Sequence, residues 1–204
     1  MIALLLAAAA LPTAIDAERS FAADAQRRGQ WTAFRATATE DAVMFNPGPV
    51  NAQAFLKDKK DPPESVKWWP TQSFVSCDGN LAINHGPWVI ARNNSHGTFT
   101  TVWQRQNIGW RWVYDGGETL KGSKPAVRKP LVRKASCNGK PNRTMILPQP
   151  SAAPNGTINE RSGQSNDGTL AWSWTVDYSN TRRFATWLWN GRTFVKVLDQ
   201  TVPA

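Results

Sequence analysis

The chain has 204 residues, with 24 Lys and Arg against 15 Asp and Glu (net charge +9), 41% hydrophobic and 19% charged residues, a size that suits one domain or one domain with a sizeable addition. That usage is ordinary for a globular chain, so neither a membrane bundle nor a chain disordered throughout fits it. The basic excess draws polyanions such as nucleic acid, acidic glycans or anionic lipid headgroups without specifying one, and eleven Trp need places that bury a large ring and satisfy its N–H.

Ile2 to Leu11 reads IALLLAAAAL, too short to cross a bilayer as a helix and of the length of the apolar region of a secretory signal. Small residues follow, so cleavage after Ala14 or Ala17 is expected. Residues 1–17 would then be a signal peptide and the mature chain periplasmic or secreted, with no integral membrane segment after cleavage. The competing reading is an apolar N-terminal helix packed on the domain. From Asp16 to Arg28 the residues Ala17, Phe21, Ala22 and Ala25 recur at helical spacing, and Gly29 ends the stripe. Trp31 and Phe34 mark a second short helix over Gln30–Thr39; Ala42–Phe45 is β-prone and stops at Asn46-Pro47-Gly48-Pro49. Asn51 is placed to cap a third helix through about Lys60, which Asp61-Pro62-Pro63 terminates. Strands are expected from there on, at Val66–Trp69, Ser73–Cys77, Leu81–Ala91, Thr98–Gln106 and Trp110–Asp115, separated by Asp, Asn and Gly turns. Helices followed by an antiparallel meander predict an α+β domain, a curled sheet with helices on one face.

Residues 121–168 concentrate Pro, Gly, Ser, Asn and Lys around one apolar run, Met145-Ile146-Leu147. They read as a basic linker in which Asn155–Gly168 is mobile. Strands return at Leu170–Tyr178, Arg183–Trp189 and Thr193–Leu198, the last two joined by the hairpin turn Asn190-Gly191. The expected boundaries are therefore 18–120, 121–167 and 168–204. Period two matches Trp172 with Trp174 and Trp187 with Trp189, so four indoles are expected on one face of a three-stranded extension. They either cover the main sheet or form an exposed platform for sugar rings or bases. In an oxidising compartment Cys77 and Cys137 are most simply one disulfide, with two buried free thiols as the alternative. These two Cys with His85 and His96 show no paired ligand spacing, so no metal is expected, and no motif asks for a cofactor.

Three runs, Asp78–Trp88 (DGNLAINHGPW), Gly97–Gln106 (GTFTTVWQRQ) and Gly109–Gly117 (GWRWVYDGG), follow AERSF at Ala17–Phe21 and EDAVMF at Glu40–Phe45. In this order they resemble the SnoaL-like, ketosteroid-isomerase-related branch of the nuclear-transport-factor-2-like superfamily, over about residues 17–117. The resemblance implies a curved antiparallel sheet wrapped by three helices into a cone whose open end accepts a small apolar ligand, in a fold that often dimerises. It implies no single reaction, because such domains include isomerases, dehydratases, cyclases, binders and scaffolds. Many catalytic relatives end the last strand with a His, where this chain reads Tyr114-Asp115-Gly116-Gly117.

A carboxylate in a cone lined with Phe and Trp has its pKa raised by desolvation, which suits acid or base work near neutral pH. Asp115 is the first candidate and Asp41 the second, with Tyr114 or His85 as proton donor or shuttle. The bland alternatives are a strand-end turn for Asp115, a helix-end or turn role for Asp41 and an ordinary edge histidine for His85. Phe45, Trp103, Trp110 and Trp112 are the ligand-lining candidates, or else core. Strand parity puts Trp110, Trp112 and Tyr114 on one face and Arg111, Val113 and Asp115 on the other, so Tyr114 and Asp115 cannot both face a pocket without a bulge. The leading expectation is a pocket for a small apolar molecule. The alternatives are an acid/base enzyme of isomerase or dehydratase type, and a module in which the basic, Trp-rich extension holds an acidic envelope polymer or a protein. Partners would be a small molecule and, by resemblance, a second copy in a homodimer.

Overall fold

The computed structural model describes residues 11–122, 126, 129–139, 141 and 156–204; all of the expected Ile2–Leu11 run but Leu11, and Met145–Leu147, lie outside these. Helix α1 (Ala14–Arg28) opens with a capping box, in which Thr13 Oγ1 accepts from the Asp16 backbone and the Asp16 carboxylate accepts from the Thr13 N–H. Gly29, at φ +109°, lets the chain turn directly into α2 (Gln30–Thr37). Strand β1 (Ala38–Phe45) and the short β2 (Pro49–Asn51) follow. Asn51 caps α3 (Ala52–Leu56) through an acceptor bond from Ala54, and this helix ends at Leu56, short of the expected Lys60. The remaining strands are β3 (Lys67–Trp68), β4 (Gln72–Val75), β5 (Leu81–Ile90), β6 (Ser95–Gln106), β7 (Gly109–Thr119), β8 (Leu131–Lys134), β9 (Thr157–Gln164), β10 (Leu170–Asp177), β11 (Arg182–Trp189) and β12 (Phe194–Val202).

The first sheet runs β2-β1-β7-β6-β5-β4-β8, with β3 also on β5. It is mixed, not purely antiparallel, because β1 lies parallel to β7 and β8 parallel to β4. The second sheet has four strands in the order β12-β11-β10-β9, one more than expected. The added strand, β9, falls in the stretch read as a mobile loop. Its sequence TINERSGQ carries no apolar alternation, so only backbone pairing with β10 makes it a strand.

Two cores use the two faces of the first sheet. Helices α1–α3 cover one face, where Phe21, Phe34, Leu56, Trp68, Trp103 and Trp112 form a closed cluster. The second sheet covers the other face, joining Ile83, Val102, Val113 and Tyr114 to Leu170, Trp172, Trp174, Val176, Phe184 and Leu188. Stacking the sheets removes both apolar faces from water, and each of these side chains gains roughly 1.5–3 kcal/mol by burial. That face is therefore covered by the chain itself and is not free for a second copy.

The four extension indoles do not share a face. Trp172 stands opposite Thr186 and Trp174 opposite Phe184, whereas Trp187 stands opposite Ala171, so Trp172 and Trp174 face the first sheet and Trp187 faces away from it. All four, Trp189 included, are 4–5% exposed, so the second sheet offers no aromatic platform. The Cys77–Cys137 disulfide ties the turn after β4 to the segment after β8. Around it Cys77 N–H donates to Thr169 Oγ1 (2.9 Å) and the Trp189 indole donates to Asn138 O (3.1 Å).

Candidate functional site

A cavity of about 190 Å³ opens between α2, β1, β3 and strands β5–β7. Trp31 and Phe34 of α2, Met44 of β1, Trp68 of β3, Trp88 of β5 and Phe99 of β6 supply its apolar wall, and Asp115 is the one acidic residue lining it.

A bulge in β7 puts Asp115 there. The ladder to β6 pairs Val102 with Tyr114 and Trp103 with Trp112, leaving Val113 as the extra residue. Parity resets across it, so Trp110, Trp112 and Asp115 face the cone while Val113 and Tyr114 face the second sheet. Thr101 Oγ1 donates to Asp115 Oδ2 at 2.9 Å. Burial raises the carboxyl to about 6, against the lowering influence of that bond and of the Arg182 charge.

The other predicted residues lie elsewhere. Tyr114 is 1% exposed in the inter-sheet core, its ring 4.6 Å from Phe184, and burial pushes its hydroxyl up to about 12. Asp41 is on the surface, where its carboxylate takes a 2.5 Å bond from Arg161 of β9 and another from Thr39. This pair links the sheets in high dielectric. Asp41→Asn should cost less than about 1 kcal/mol in a denaturant melt, and a loss above 2 would show the pair to be a structural tie. His85 lines a different cavity with Gln72 and Pro87, and its Nδ1 lies 3.0 Å from Thr100 Oγ1; burial lowers its pKa.

The four ligand-lining candidates lie off the 190 Å³ cavity. Trp103, Trp110 and Trp112 are core residues whose indoles donate to Glu18, the Pro12 carbonyl and Thr37 Oγ1 respectively. Phe45 lies on the opposite face of β1, against Tyr114 and Trp174. Periodicity missed Trp31, Trp68 and Trp88 as lining because each reads as ordinary core or strand, and their convergence depends on sheet curvature.

Glu18 was also missed. It is fully buried in α1 and accepts from the Trp68 indole (2.8 Å), the Trp103 indole (2.6 Å) and the Asn84 amide (3.1 Å). Burial, opposed by these three bonds, raises its pKa to about 7. Its place on the apolar stripe of α1, one position after Ala17, was the available signal. Residues 12–14, expected in or near a leader, are bonded to the fold as well: Pro12 O accepts from Trp110 and Arg105, and Ala14 O accepts from Asn84.

A second cavity, about 230 Å³, lies beside the first and shares Met44, Asp115 and Gly117 with it; Phe45, Gly116 and Arg182 complete much of its wall. The arrangement is a curved sheet closed on one face by helices, with one half-buried carboxyl set in an aromatic wall.

No family model matches the chain, and no curated protein matches it. Similar solved structures include an NTF2-like protein of unknown function from Pseudomonas putida (15% identity, 55% of this chain and 96% of that one, TM-score 0.39). Another is an NTF-2 like protein of unknown function from Shewanella oneidensis (17% identity, 48% and 91%, TM-score 0.38). A third is the hexachlorocyclohexane dehydrochlorinase LinA-type3 from Novosphingobium barchaimii (13% identity, 54% and 91%, TM-score 0.34). The first two of these are named NTF2-like.

Proposed function

We propose that the protein binds a small apolar molecule in the cone cavity. The observation that carries this reading is the cavity itself, about 190 Å³ between Trp31, Phe34, Trp88 and Phe99. Its size is near that of the ~150 Å³ apolar cavity known to take benzene, so one-ring compounds are the natural occupants. Toluene at a hundredfold excess over its Kd should raise the melting temperature by about 5–10 °C. No stabilisation by any one-ring or two-ring apolar compound would remove the reading.

The raised pKa of Asp115 favours a second reading, acid/base catalysis on the bound molecule. A carboxylate that titrates at about 6 is a competent base at neutral pH. Asp115→Asn should then lower turnover of an identified substrate by ~100-fold or more, and the wild-type rate should rise with pH through about 6. Unchanged turnover would take Asp115 out of the mechanism.

An extracytoplasmic location is supported by the Ile2–Leu11 run and by the disulfide. Among the described residues no helix is long and apolar enough to cross a membrane. Cleavage after Ala14 or Ala17 would remove Thr13 and its capping box, so a cut N-terminal to Pro12 suits the fold better.

A further inference from the structure

Arg182 is the residue that the cone reading leaves unused. It stands at the start of β11, 7% exposed, and lines the 230 Å³ cavity with Asp115. Its Nη2 donates to Gly117 O at 2.6 Å, and its guanidinium lies 4.3 Å from the centre of the Phe45 ring. Its buried Nε has no partner, and among the described residues no carboxylate comes within 4 Å of it. Buried guanidinium groups are normally paired, because leaving one unpaired is costly. Gly116 lets the guanidinium and the Tyr114 hydroxyl sit close against β7 beside the cavity, since a Cβ there would lie 3.2 Å from the Arg182 Cζ and 2.4 Å from the Tyr114 hydroxyl. Asp115 borders the same space but is held by Thr101.

We propose that Arg182 is a carboxylate-binding residue, and that the molecule the protein holds is a small aromatic acid, with its ring in the cone cavity and its carboxylate on the Arg182 guanidinium. The two cavities share Met44, Asp115 and Gly117 in their walls, and the assignment requires one molecule to pass between these residues from the aromatic wall to the cation. The planar fork of Arg matches a carboxylate through two parallel N–H···O bonds. The Phe45 face stabilises the cation when the site is empty. This assignment rests on the cone being a ligand pocket and names the class of ligand.

The test is calorimetric titration of the full chain with benzoate, its uncharged isostere benzamide, and toluene. Wild-type protein should bind benzoate at least about tenfold more tightly than benzamide. Arg182→Met should abolish that preference, and Arg182→Lys should retain part of it, since the charge stays and the fork is lost. Asp115→Asn, which leaves Arg182 in place, should tighten benzoate severalfold by removing a neighbouring negative charge. Toluene binding without a benzoate preference, or a preference that survives in Arg182→Met, overturns the carboxylate site and leaves the cone reading standing. If none of the three probes binds, the carboxylate site falls, and the cone reading is decided by the wider one-ring and two-ring screen.

Discussion

Replacing Cys77 and Cys137 by Ser is expected to lower the unfolding free energy by about 4 kcal/mol. The bridge spans 60 positions of chain, so in the unfolded state it removes the freedom of a long loop. Its native surroundings add to the effect. The Cys77 N–H bond to Thr169, the Ser136 N–H bond to the Trp189 carbonyl and the Trp189 indole bond to Asn138 all run between the first sheet's β4–β8 edge and the second sheet. Loss of the bridge should therefore loosen the second sheet first. Hydrogen exchange should accelerate in β10 and β11 before it does in β5 and β6. A double variant that melts within 1 kcal/mol of wild type would show that sheet-on-sheet burial suffices without the crosslink.

The second large effect is a stability that falls as pH rises. Glu18 has an ordinary value of 4.5 and about 7 in the fold. Between those limits the native state holds more protons than the unfolded chain, so stability declines with pH across that window. The contribution is full below pH 4.5 and gone above about 7, a change on the order of 3 kcal/mol. Asp115, raised from 3.8 to about 6, acts in the same direction over a slightly lower range. Glu18→Gln should flatten the Glu18 part of this profile. It should also cost about 1–3 kcal/mol at pH 4.5, because an amide has one acceptor oxygen, and its NH₂ would confront a donor among Trp68, Trp103 and Asn84. Measured from pH 4.5 to 8, the two stability curves should converge or cross. Parallel curves would show that Glu18 does not ionise in this range.

How legible the site was depended on which residue is asked about. Asp115 was singled out because it follows the Trp-rich strand expected to line an aromatic cone, and it borders the cavity. Its direction was not legible, since strict alternation predicts that Asp115 and Trp112 face opposite ways and only the bulge at Val113 puts both in the cone. Asp41, the second carboxylate candidate, ends in an exposed pair with Arg161, 120 positions away. Arg182 looked like one more basic residue in a basic chain. Its burial comes from Phe45 and Gly117, which its neighbours in sequence do not announce.

With two cysteines only, the sequence offered one disulfide or two free thiols, and local pattern alone determined α1 and α2, the Asn51 cap, the order of strands from β3 to β7 and the β10–β12 meander. These depend on periodicity, capping and turn chemistry, which act over a few residues. Tertiary structure decided the parallel pairings β1–β7 and β4–β8, the strand character of polar β9, the split of the four indoles between two faces, and the meeting of Trp31, Trp68, Trp88 and Asp115 around one cavity. Each of these depends on register and curvature between segments far apart in the chain, where a shift of one residue turns every side chain to the opposite face.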